Sequence, residues 1–420
     1  MRIAKASCWR TLGSWLMLVL LLPFAASCQH DHHQEPDTSV SRTVIVFMAA
    51  ENTLYEFSVG YESDITEMLQ GVGYMTANDH LVVYHDGVGL PAIFHIDQHT
   101  KATAYAELRA VYTAQEDMNS ASAETLRFVL DYATKHYPAQ EYAIVFWSHA
   151  SGWVPSTYDA PTRAASKPRR SFGIDNGTNS SATNYGPQME ISDLAEALSH
   201  YPQFEFIFFD ACFMQCIEVA YELRAYAKYL VSSPAEIPGP GAPYHLVMKD
   251  FFAEPADVKG LIDHYHDYHQ GNYGSLLSAI DCAQMEDFAD TLHSILQPHK
   301  EQLLAMRFSD VLDYWKFDHY YYQYDYPDYY DILGIMRQAH AQEILSDDEL
   351  TRFESALERI TYHKNWTSQW WSMVQGWQNV DETQYSGISM FLPLAKYSVQ
   401  QKIFYDAWFQ TPWAKAVWNE

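Results

Sequence analysis

The sequence has few basic residues for its size. It contains 26 Lys and Arg against 53 Asp and Glu, which gives a formal net charge of -27 at pH 7. A chain with this charge repels the phosphates of nucleic acids and the head groups of anionic lipids. We therefore expect no nucleic-acid partner, whereas basic peptides would be drawn towards the protein.

One long apolar run is present, at residues 15–26, where it follows Arg2, Lys5 and Arg10. The run is too short to span a membrane comfortably, and its position after positive charges is typical of an export signal. The small residues that end it precede Cys28, an arrangement that resembles the bacterial lipoprotein signal. We expect cleavage before Cys28 and lipidation of its thiol, with an ordinary signal peptide as the alternative.

The sequence after this signal indicates how the protein would be held in the cell envelope. Residues 28–41 are polar and show no hydrophobic periodicity, which is typical of a flexible tether between a lipid and a folded domain. Loss of the signal peptide at residues 1–27 would remove three positive charges and change the formal charge from -27 to -30. The expected location is the envelope of a bacterium, with a lipid anchor in the membrane and the protein in the periplasm or on the surface.

Cysteines are scarce: the chain has five. Three of them remain as thiols once the signal is removed and Cys28 is lipidated, and Cys212, Cys216 and Cys282 cannot all pair. An odd cysteine in an exported protein suggests a free thiol with a function. Cys212 and Cys216 lie four residues apart, but no second pair of Cys or His residues has zinc-finger spacing, so we predict no structural zinc.

Short apolar runs alternate with helical patterns along much of the chain. Strands are predicted at residues 43–49, 81–84, 142–147, 206–209 and 228–232. Helical spacing of apolar residues lies between most of these runs. This order predicts an α/β fold in which a parallel sheet carries helices on both faces.

The run at residues 206–209 ends in Asp210-Ala-Cys212. Four consecutive large apolar residues are typical of a strand that is buried on both faces. Helical spacing begins after Cys212, and we expect Cys216 to be a small core residue of that helix. The Cys212 thiol would then lie at the carboxyl edge of the sheet and near a helix N-terminus, which favours the thiolate. Cys212 is the first candidate nucleophile.

A histidine occupies the corresponding position on the preceding predicted strand. His149 comes just after the run at residues 142–147, as Cys212 comes just after residues 206–209. Taken alone, His149 could be a structural histidine with satisfied hydrogen bonds. Its matched placement instead predicts an imidazole beside the thiol, where it can accept the thiol proton and return it to a leaving amine.

A long polar segment at residues 155–185 lies between the histidine and the cysteine. Its basic residues are Arg163, Lys167, Arg169 and Arg170. Such a segment is either a solvated loop or a loop that is open to proteolytic cleavage, because exposed polar loop tips are the preferred sites of nicking.

Together these motifs resemble the clostripain family of cysteine peptidases. The segments at residues 48–52, 142–153, 208–223 and 238–244 follow the family's order, and residues 386–393 look like a further strand of the family. The resemblance implies a caspase-like α/β/α sandwich with a mostly parallel central sheet. It also implies a Cys-His dyad, cleavage after Arg or Lys in many members, and self-cleavage between the two motifs, here at residues 161–170.

The resemblance also implies roles for individual residues. Cys212 would be the nucleophile and His149 the general base and acid, with the backbone N–H groups of Cys212 and Ala150 holding the oxyanion. Asp210 matches a residue that helps to hold a basic side chain before the scissile bond. Its alternative role is to accept hydrogen bonds from the N-terminus of the following helix. Family members that prefer basic residues tend to have acidic or amide residues just after the position of Ser233. Pro234 and Ala235 stand there in this sequence, and Glu236 is the nearby acidic residue.

The resemblance also implies two domains. The peptidase domain is expected at residues 42–250, and residues 251–420 form a mainly helical extension packed on it, with a strand near 386–392 returning to the main sheet. A peptide or protein is the expected substrate.

No metal site is predicted, because no EF-hand loop is present. The hydrolysis requires no cofactor, although the resemblance allows for activation by calcium through ligands that the sequence does not identify. The alternative function is a catalytically degenerate surface lipoprotein that binds or scaffolds. This alternative arises because Ala150 stands where the family commonly has glycine, and a positive φ at that position would strain alanine.

Overall fold

The computed structural model describes residues 41–56, 60–87, 89–154, 171–177, 186–308, 311–315, 329–373, 375–400 and 402–418. Cys28 and the four basic residues Arg163, Lys167, Arg169 and Arg170 lie outside the described residues, as do the predicted signal peptide and most of the tether. Within the described part, no helix has the length and apolar character needed to cross a membrane.

Nine of the strands form one central sheet. Its order is β10-β8-β7-β6-β5-β1-β2-β3-β4, and a further pair of strands forms each of two small sheets. The strands are β1 Arg42–Ala49, β2 His80–Asp86, β3 Ala92–Ile96, β4 Tyr112–Thr113, β5 Glu141–Trp147, β6 Phe204–Asp210, β7 Ala227–Ser232, β8 Leu276–Asp281, β9 Tyr330–Asp331, β10 Thr361–Trp366, β11 Gln369–Ser372, β12 Gly376–Asn379 and β13 Ser389–Met390. The five central strands β7, β6, β5, β1 and β2 are parallel, and the outer strands pair antiparallel.

Helices cover both faces of this sheet. They are α1 Tyr61–Gln70, α2 Ala123–His136, α3 Ile191–Leu198, α4 Ile217–Leu223, α5 Tyr244–Phe251, α6 Val258–His269, α7 Met285–Leu296, α8 Lys300–Leu304, α9 Ile332–Ala341, α10 Asp347–Ile360, α11 Tyr397–Gln400, α12 Lys402–Trp408 and α13 Pro412–Val417. One core lies under α2, α3, α4 and α7, and the other lies under α1, α5 and α6.

The alternation of side chains along a strand explains how one strand serves both cores. In β6, Ile207 and Phe209 belong to one core, whereas Phe206 and Phe208 belong to the other. All four are at most 1% exposed, as a run of consecutive apolar residues requires when a sheet is covered on both faces. The predicted α/β/α architecture is confirmed.

Three local predictions differ from the structure. The helix after Cys212 begins only at Ile217, and Cys216 is its fully buried N-cap rather than a residue within it. Residues 386–392 do not return to the main sheet, because β13 pairs with β9 in a separate two-stranded sheet. The strand that does join the main sheet from the C-terminal part is β10, which pairs antiparallel with β8.

The C-terminal part is bound to the first half of the chain through a buried carboxylate. Glu218, in the first turn of α4, accepts hydrogen bonds from the backbone N–H of Phe391 and from Trp408 Nε1, both at 2.9 Å. Burial raises the pKa of Glu218 to about 7. Residues 39–420 form one compact unit, in which the segments at 42–250 and 251–420 share the central sheet.

We therefore expect Trp408→Phe to lower the free energy of unfolding by about 2 kcal/mol, because the change leaves a buried carboxylate with one donor fewer. Trp377→Phe is the matched control, since the Trp377 side chain is 49% exposed and should contribute about 0.5 kcal/mol or less. Urea titration followed by circular dichroism measures both. Equal losses in the two variants would contradict a special role for the Glu218 contact.

Candidate active site

The two candidate catalytic residues follow neighbouring parallel strands. Strands β5 and β6 pair in a register that ends with Trp147 opposite Asp210. His149 and Cys212 each lie two residues beyond this last pair, at the carboxyl edge of the sheet. Both side chains are partly exposed, in contrast to the buried residues that precede them in the strands. The structure therefore brings both residues to the same edge, as the sequence predicts.

A tight turn carries the Cys212 thiol. Phe213, the next residue, has φ of 62°, a left-handed conformation that is costly for a bulky side chain. Two backbone hydrogen bonds of 3.0 Å hold the turn: Phe213 N–H donates to Ala235 O, and Gln215 N–H donates to Ser233 O. The Cys212 Sγ atom accepts a contact of 3.5 Å from the backbone N–H of Ile237. The loop at residues 233–237 thus fixes the position of the nucleophile.

His149 is held by Thr53, which follows β1, and by Gly173. Its Nε2 atom lies 2.8 Å from Thr53 Oγ1, and its backbone oxygen accepts a hydrogen bond from Gly173 N–H at 2.9 Å. Asn52 supports the same region, because its side chain donates to Ala49 O at 2.9 Å and to Ile174 O at 3.0 Å. The sequence analysis missed Thr53, although its place just after a strand at the same sheet edge was a usable signal.

Ala150 occupies an ordinary backbone conformation. Among the described residues other than glycine, only Phe213 and Glu343 have a positive φ, so Ala150 is not strained in the way that the sequence comparison suggested. Gly152 has the positive φ instead, at 67°, and a Cβ added there would lie 2.7 Å from the backbone oxygen of Phe213. Glycine is therefore required at residue 152, where the chain after His149 comes close to the turn at Phe213.

Asp210 lies beneath this edge with its carboxylate inside the protein. It is 3% exposed and accepts hydrogen bonds from Ala242 N–H at 3.0 Å and from Tyr244 Oη at 2.9 Å. Burial raises its pKa to about 6, and these hydrogen bonds limit the rise. Gly241 has φ of 65°, and a Cβ there would lie 2.9 Å from Asp210 Oδ2. The loop at residues 241–244 is therefore closely fitted to Asp210. The donors to this carboxylate belong to the start of α5, and not to the N-terminus of α4 as the alternative role would require.

Two more acidic residues, Asp64 and Glu236, lie in the same region as Asp210. Asp64 is 3% exposed and accepts a hydrogen bond of 2.7 Å from Trp147 Nε1. Burial and the nearby Asp210 raise its pKa well above its usual range, and Glu67 adds to the repulsion. Glu236 is half-buried on the loop that contacts Cys212.

A second acidic cluster combines residues from the turn after β1, the end of β2 and the loop after β4. Carboxylate oxygens of Glu51, Asp86 and Asp117 lie within 4.8 Å of one another, and these are the described residues that could hold a metal ion. Burial, together with repulsion from Asp117 and Asp175, raises the pKa of Glu51 to about 8. Burial and repulsion from Asp175 and Glu51 raise that of Asp86 to about 9. The sequence analysis predicted no metal ligands here.

Comparison with known proteins identifies the family. A family model described as the clostripain family matches residues 46–411. Clostripain of Hathewaya histolytica is 26% identical over 138 residues, which cover 31% of this chain and 24% of clostripain, so the match spans about a quarter of that relative's length.

Two solved structures resemble the whole described fold. A secreted C11 cysteine protease from Bacteroides thetaiotaomicron, in complex with an irreversible peptide inhibitor, is 26% identical with a TM-score of 0.71, and the alignment covers 91% of this chain and 100% of that one. An inactive zymogen C11 protease from Parabacteroides distasonis is 27% identical with a TM-score of 0.71, and the alignment covers 90% of this chain and 99% of that one. These similarities confirm the predicted caspase-like fold, and the chain belongs to the clostripain family of cysteine peptidases.

Proposed function

We propose that this protein is an exported, lipid-anchored cysteine endopeptidase that hydrolyses peptide bonds through a dyad of Cys212 and His149. The observation that carries the proposal is the parallel register of β5 and β6, which ends at Trp147 opposite Asp210 just before the two residues. The anchor would be a lipid on Cys28, and export is supported by the likeness to a protease described as secreted.

In the proposed reaction, His149 accepts the proton of the Cys212 thiol, and the thiolate attacks the carbonyl carbon of the scissile bond. The backbone N–H groups of Cys212 and Ala150 stabilise the resulting oxyanion. His149 then gives its proton to the leaving amine, and water hydrolyses the thioester with the same imidazole as base. Thr53 contacts Nε2, so we assign the proton exchange with Cys212 to Nδ1. No cofactor is needed for these steps, because thiol and imidazole supply the nucleophile and the proton transfer.

The acidic residues around Asp210 support a preference for substrates with a basic residue before the scissile bond. Asp210 and Asp64 are both buried beside the cysteine strand, and burial raises the pKa of each. With a pKa of about 6, Asp210 is charged at neutral pH and could pair with a positive side chain. Glu236 adds a third carboxylate near the thiol. Burial also makes each charge more effective, since it is poorly screened by solvent.

Self-processing in the loop at residues 161–170 is the third part of the proposal. This loop precedes the segment at residues 171–177, whose Gly173 N–H donates to His149 O at 2.9 Å. A basic segment that directly precedes these residues in the sequence is a natural first substrate for an enzyme that cuts after Arg or Lys. The likeness to a protease that was solved as an inactive zymogen supports a latent form.

Cys212→Ala and His149→Ala are each expected to lower kcat/KM by about 10³-fold or more, because each removes one half of the dyad. Hydrolysis of fluorogenic peptides that end in Arg or Lys measures the loss. Cys282→Ala is the matched control, since it removes a thiol that is 4% exposed and outside the site. Turnover by the Cys212 variant at the wild-type rate would rule out the proposed nucleophile.

Arg substrates are expected to be preferred over citrulline substrates of the same shape, and the ratio of their kcat/KM values should fall as the pH is lowered through about 6. The reason is that Asp210, with a pKa of about 6, is charged above this pH and neutral below it. Asp210→Asn should lower the ratio by about tenfold or more and remove this pH dependence. Asp290→Asn, which changes an exposed carboxylate, should leave the ratio unchanged. An equal ratio in the wild type and Asp210→Asn would contradict the assignment.

Incubation of the purified protein is expected to produce new termini after Arg163, Lys167, Arg169 or Arg170 in the wild type and none there in Cys212→Ala. Mass spectrometry of the termini measures the outcome, and Cys282→Ala should be processed as the wild type is. Identical cuts in the Cys212 variant would assign the cleavage to another protease. The absence of any cut at residues 161–170 in an active wild type would exclude self-processing there.

A further inference from the structure

We propose that Tyr329 is a positioning residue for the dyad, and that it holds the turn after His149 against the turn after Cys212. The residue comes from the C-terminal part of the chain, which the sequence analysis assigned to an extension packed on the peptidase domain. This inference rests on the proposed peptidase function and adds a residue to it. Tyr329 is 3% exposed, so it acts through the two turns and not by contact with a substrate.

Strand pairing alone does not fix the relative position of the two catalytic side chains. The register of β5 and β6 ends with Trp147 opposite Asp210, and both candidates lie two residues beyond it. Past this point each segment has a residue in the left-handed region: Gly152 has φ of 67° and Phe213 has φ of 62°. This conformation is costly for phenylalanine and persists only where the surrounding structure enforces it. The position of the dyad therefore depends on contacts beyond the sheet.

The hydroxyl of Tyr329 binds the histidine turn. Tyr329 Oη donates a hydrogen bond of 2.5 Å to the backbone oxygen of Ser151, two residues after His149. Ser151 N–H donates to Ser171 O at 3.0 Å, so the peptide groups on both sides of Ser151 are bound. The N–H of Ala150, the proposed second donor to the oxyanion, belongs to the preceding peptide group. Loss of the Tyr329 bond would therefore loosen a segment that carries both the imidazole and an oxyanion donor.

The ring of Tyr329 contacts the cysteine turn. Its centroid lies 5.2 Å from that of Phe213, the residue after Cys212. Trp315 contacts the same Phe213 ring edge-on, with the centroids 4.6 Å apart. Aromatic pairs at such distances stabilise a structure beyond the area that they bury. Tyr329 therefore touches both turns, one through its hydroxyl and the other through its ring.

Gly152 brings the two turns into direct contact beside this tyrosine. A Cβ added at Gly152 would lie 2.7 Å from Phe213 O and 3.0 Å from Cys216 Sγ. It would also lie 3.4 Å from Tyr329 Cε1, so the ring is placed where the turns meet. Because protein interiors are close-packed, a displacement of this ring is transmitted to both turns.

Tyr329 is itself fixed by Asp313. The Asp313 carboxylate accepts hydrogen bonds from the backbone N–H groups of Trp315 at 3.0 Å and of Tyr329 at 3.2 Å. Tyr314 N–H also donates to Tyr329 O at 2.9 Å. Asp313 is 8% exposed, so these bonds are shielded from solvent. The two aromatic residues that support the Phe213 turn thus share one hydrogen-bonded support in the C-terminal part.

Tyr329→Phe tests the proposal, because it keeps the ring and removes the hydroxyl. With an Arg peptide as substrate, kcat should fall by about tenfold or more while KM changes by about threefold or less. The reason is that a displaced catalytic group slows the chemical step without altering the contacts that bind the substrate.

Tyr221→Phe is the matched control. Its hydroxyl belongs to a side chain that is 6% exposed and donates to Glu286 at 2.9 Å, in a contact between α4 and α7. This variant should keep the wild-type kcat. Urea titration of both variants shows whether a difference in stability accounts for a difference in kcat.

Amide hydrogen exchange gives a measurement that needs no activity. In a Cys212→Ala background, Tyr329→Phe should increase exchange in the segments at residues 149–154 and 211–216. Tyr221→Phe should leave exchange in both segments unchanged.

The proposal is overturned if Tyr329→Phe keeps the wild-type kcat, or if Tyr221→Phe loses as much of it. Unchanged exchange of both segments in Tyr329→Phe would also overturn it. A wild type without Cys212-dependent hydrolysis would instead refute the proposed peptidase function. The exchange measurement would then still decide whether Tyr329 holds the two turns together.

Discussion

The parallel pairing of β6, β5, β1 and β2 is the constraint on which the candidate site depends. These four strands are consecutive in the sheet, so their carboxyl ends lie side by side. Cys212 follows β6, His149 follows β5, Glu51 and Thr53 follow β1, and Asp86 ends β2. Residues that are far apart in the sequence meet at this edge because the strand register allows no other placement. The thiol, the imidazole and the two acidic clusters are thus parts of one row.

The two buried acidic groups of this row are balanced in different ways. Asp210 receives hydrogen bonds from Ala242 and Tyr244, so its charge is stabilised by the protein itself. Glu51 receives none among the described residues, and Asp86 receives one from Tyr84. The same edge of the sheet therefore contains a carboxylate that is bound by several donors and a pair that is bound by few, and the pKa values of that pair are raised further, to about 8 and about 9.

The sequence predicted the sheet and the Cys212–His149 placement because both follow from local patterns. Apolar runs such as residues 206–209 indicate buried strands, and the residue after such a run lies at the ligand-binding edge. The start of α4 was misplaced because the left-handed turn at Phe213 depends on hydrogen bonds that it donates to backbone oxygens of the loop at residues 233–235. The pairing of β13 with β9 was missed because both strands have only two residues. Asp117 approaches Glu51 only through tertiary folding, which no local pattern encodes.

The hydrogen bonds of residues 171–177 bear on how self-cleavage could leave the site intact. Ser171 O accepts from Ser151 N–H at 3.0 Å, Phe172 N–H donates to Met189 O at 3.1 Å, and Asn176 N–H donates to Glu51 O at 2.9 Å. A cut after any of the four basic residues at 163–170 would fall before this segment, and every one of these bonds would remain. Processing would therefore leave these supports of His149 in place, and a latent form and a processed form could share one catalytic geometry.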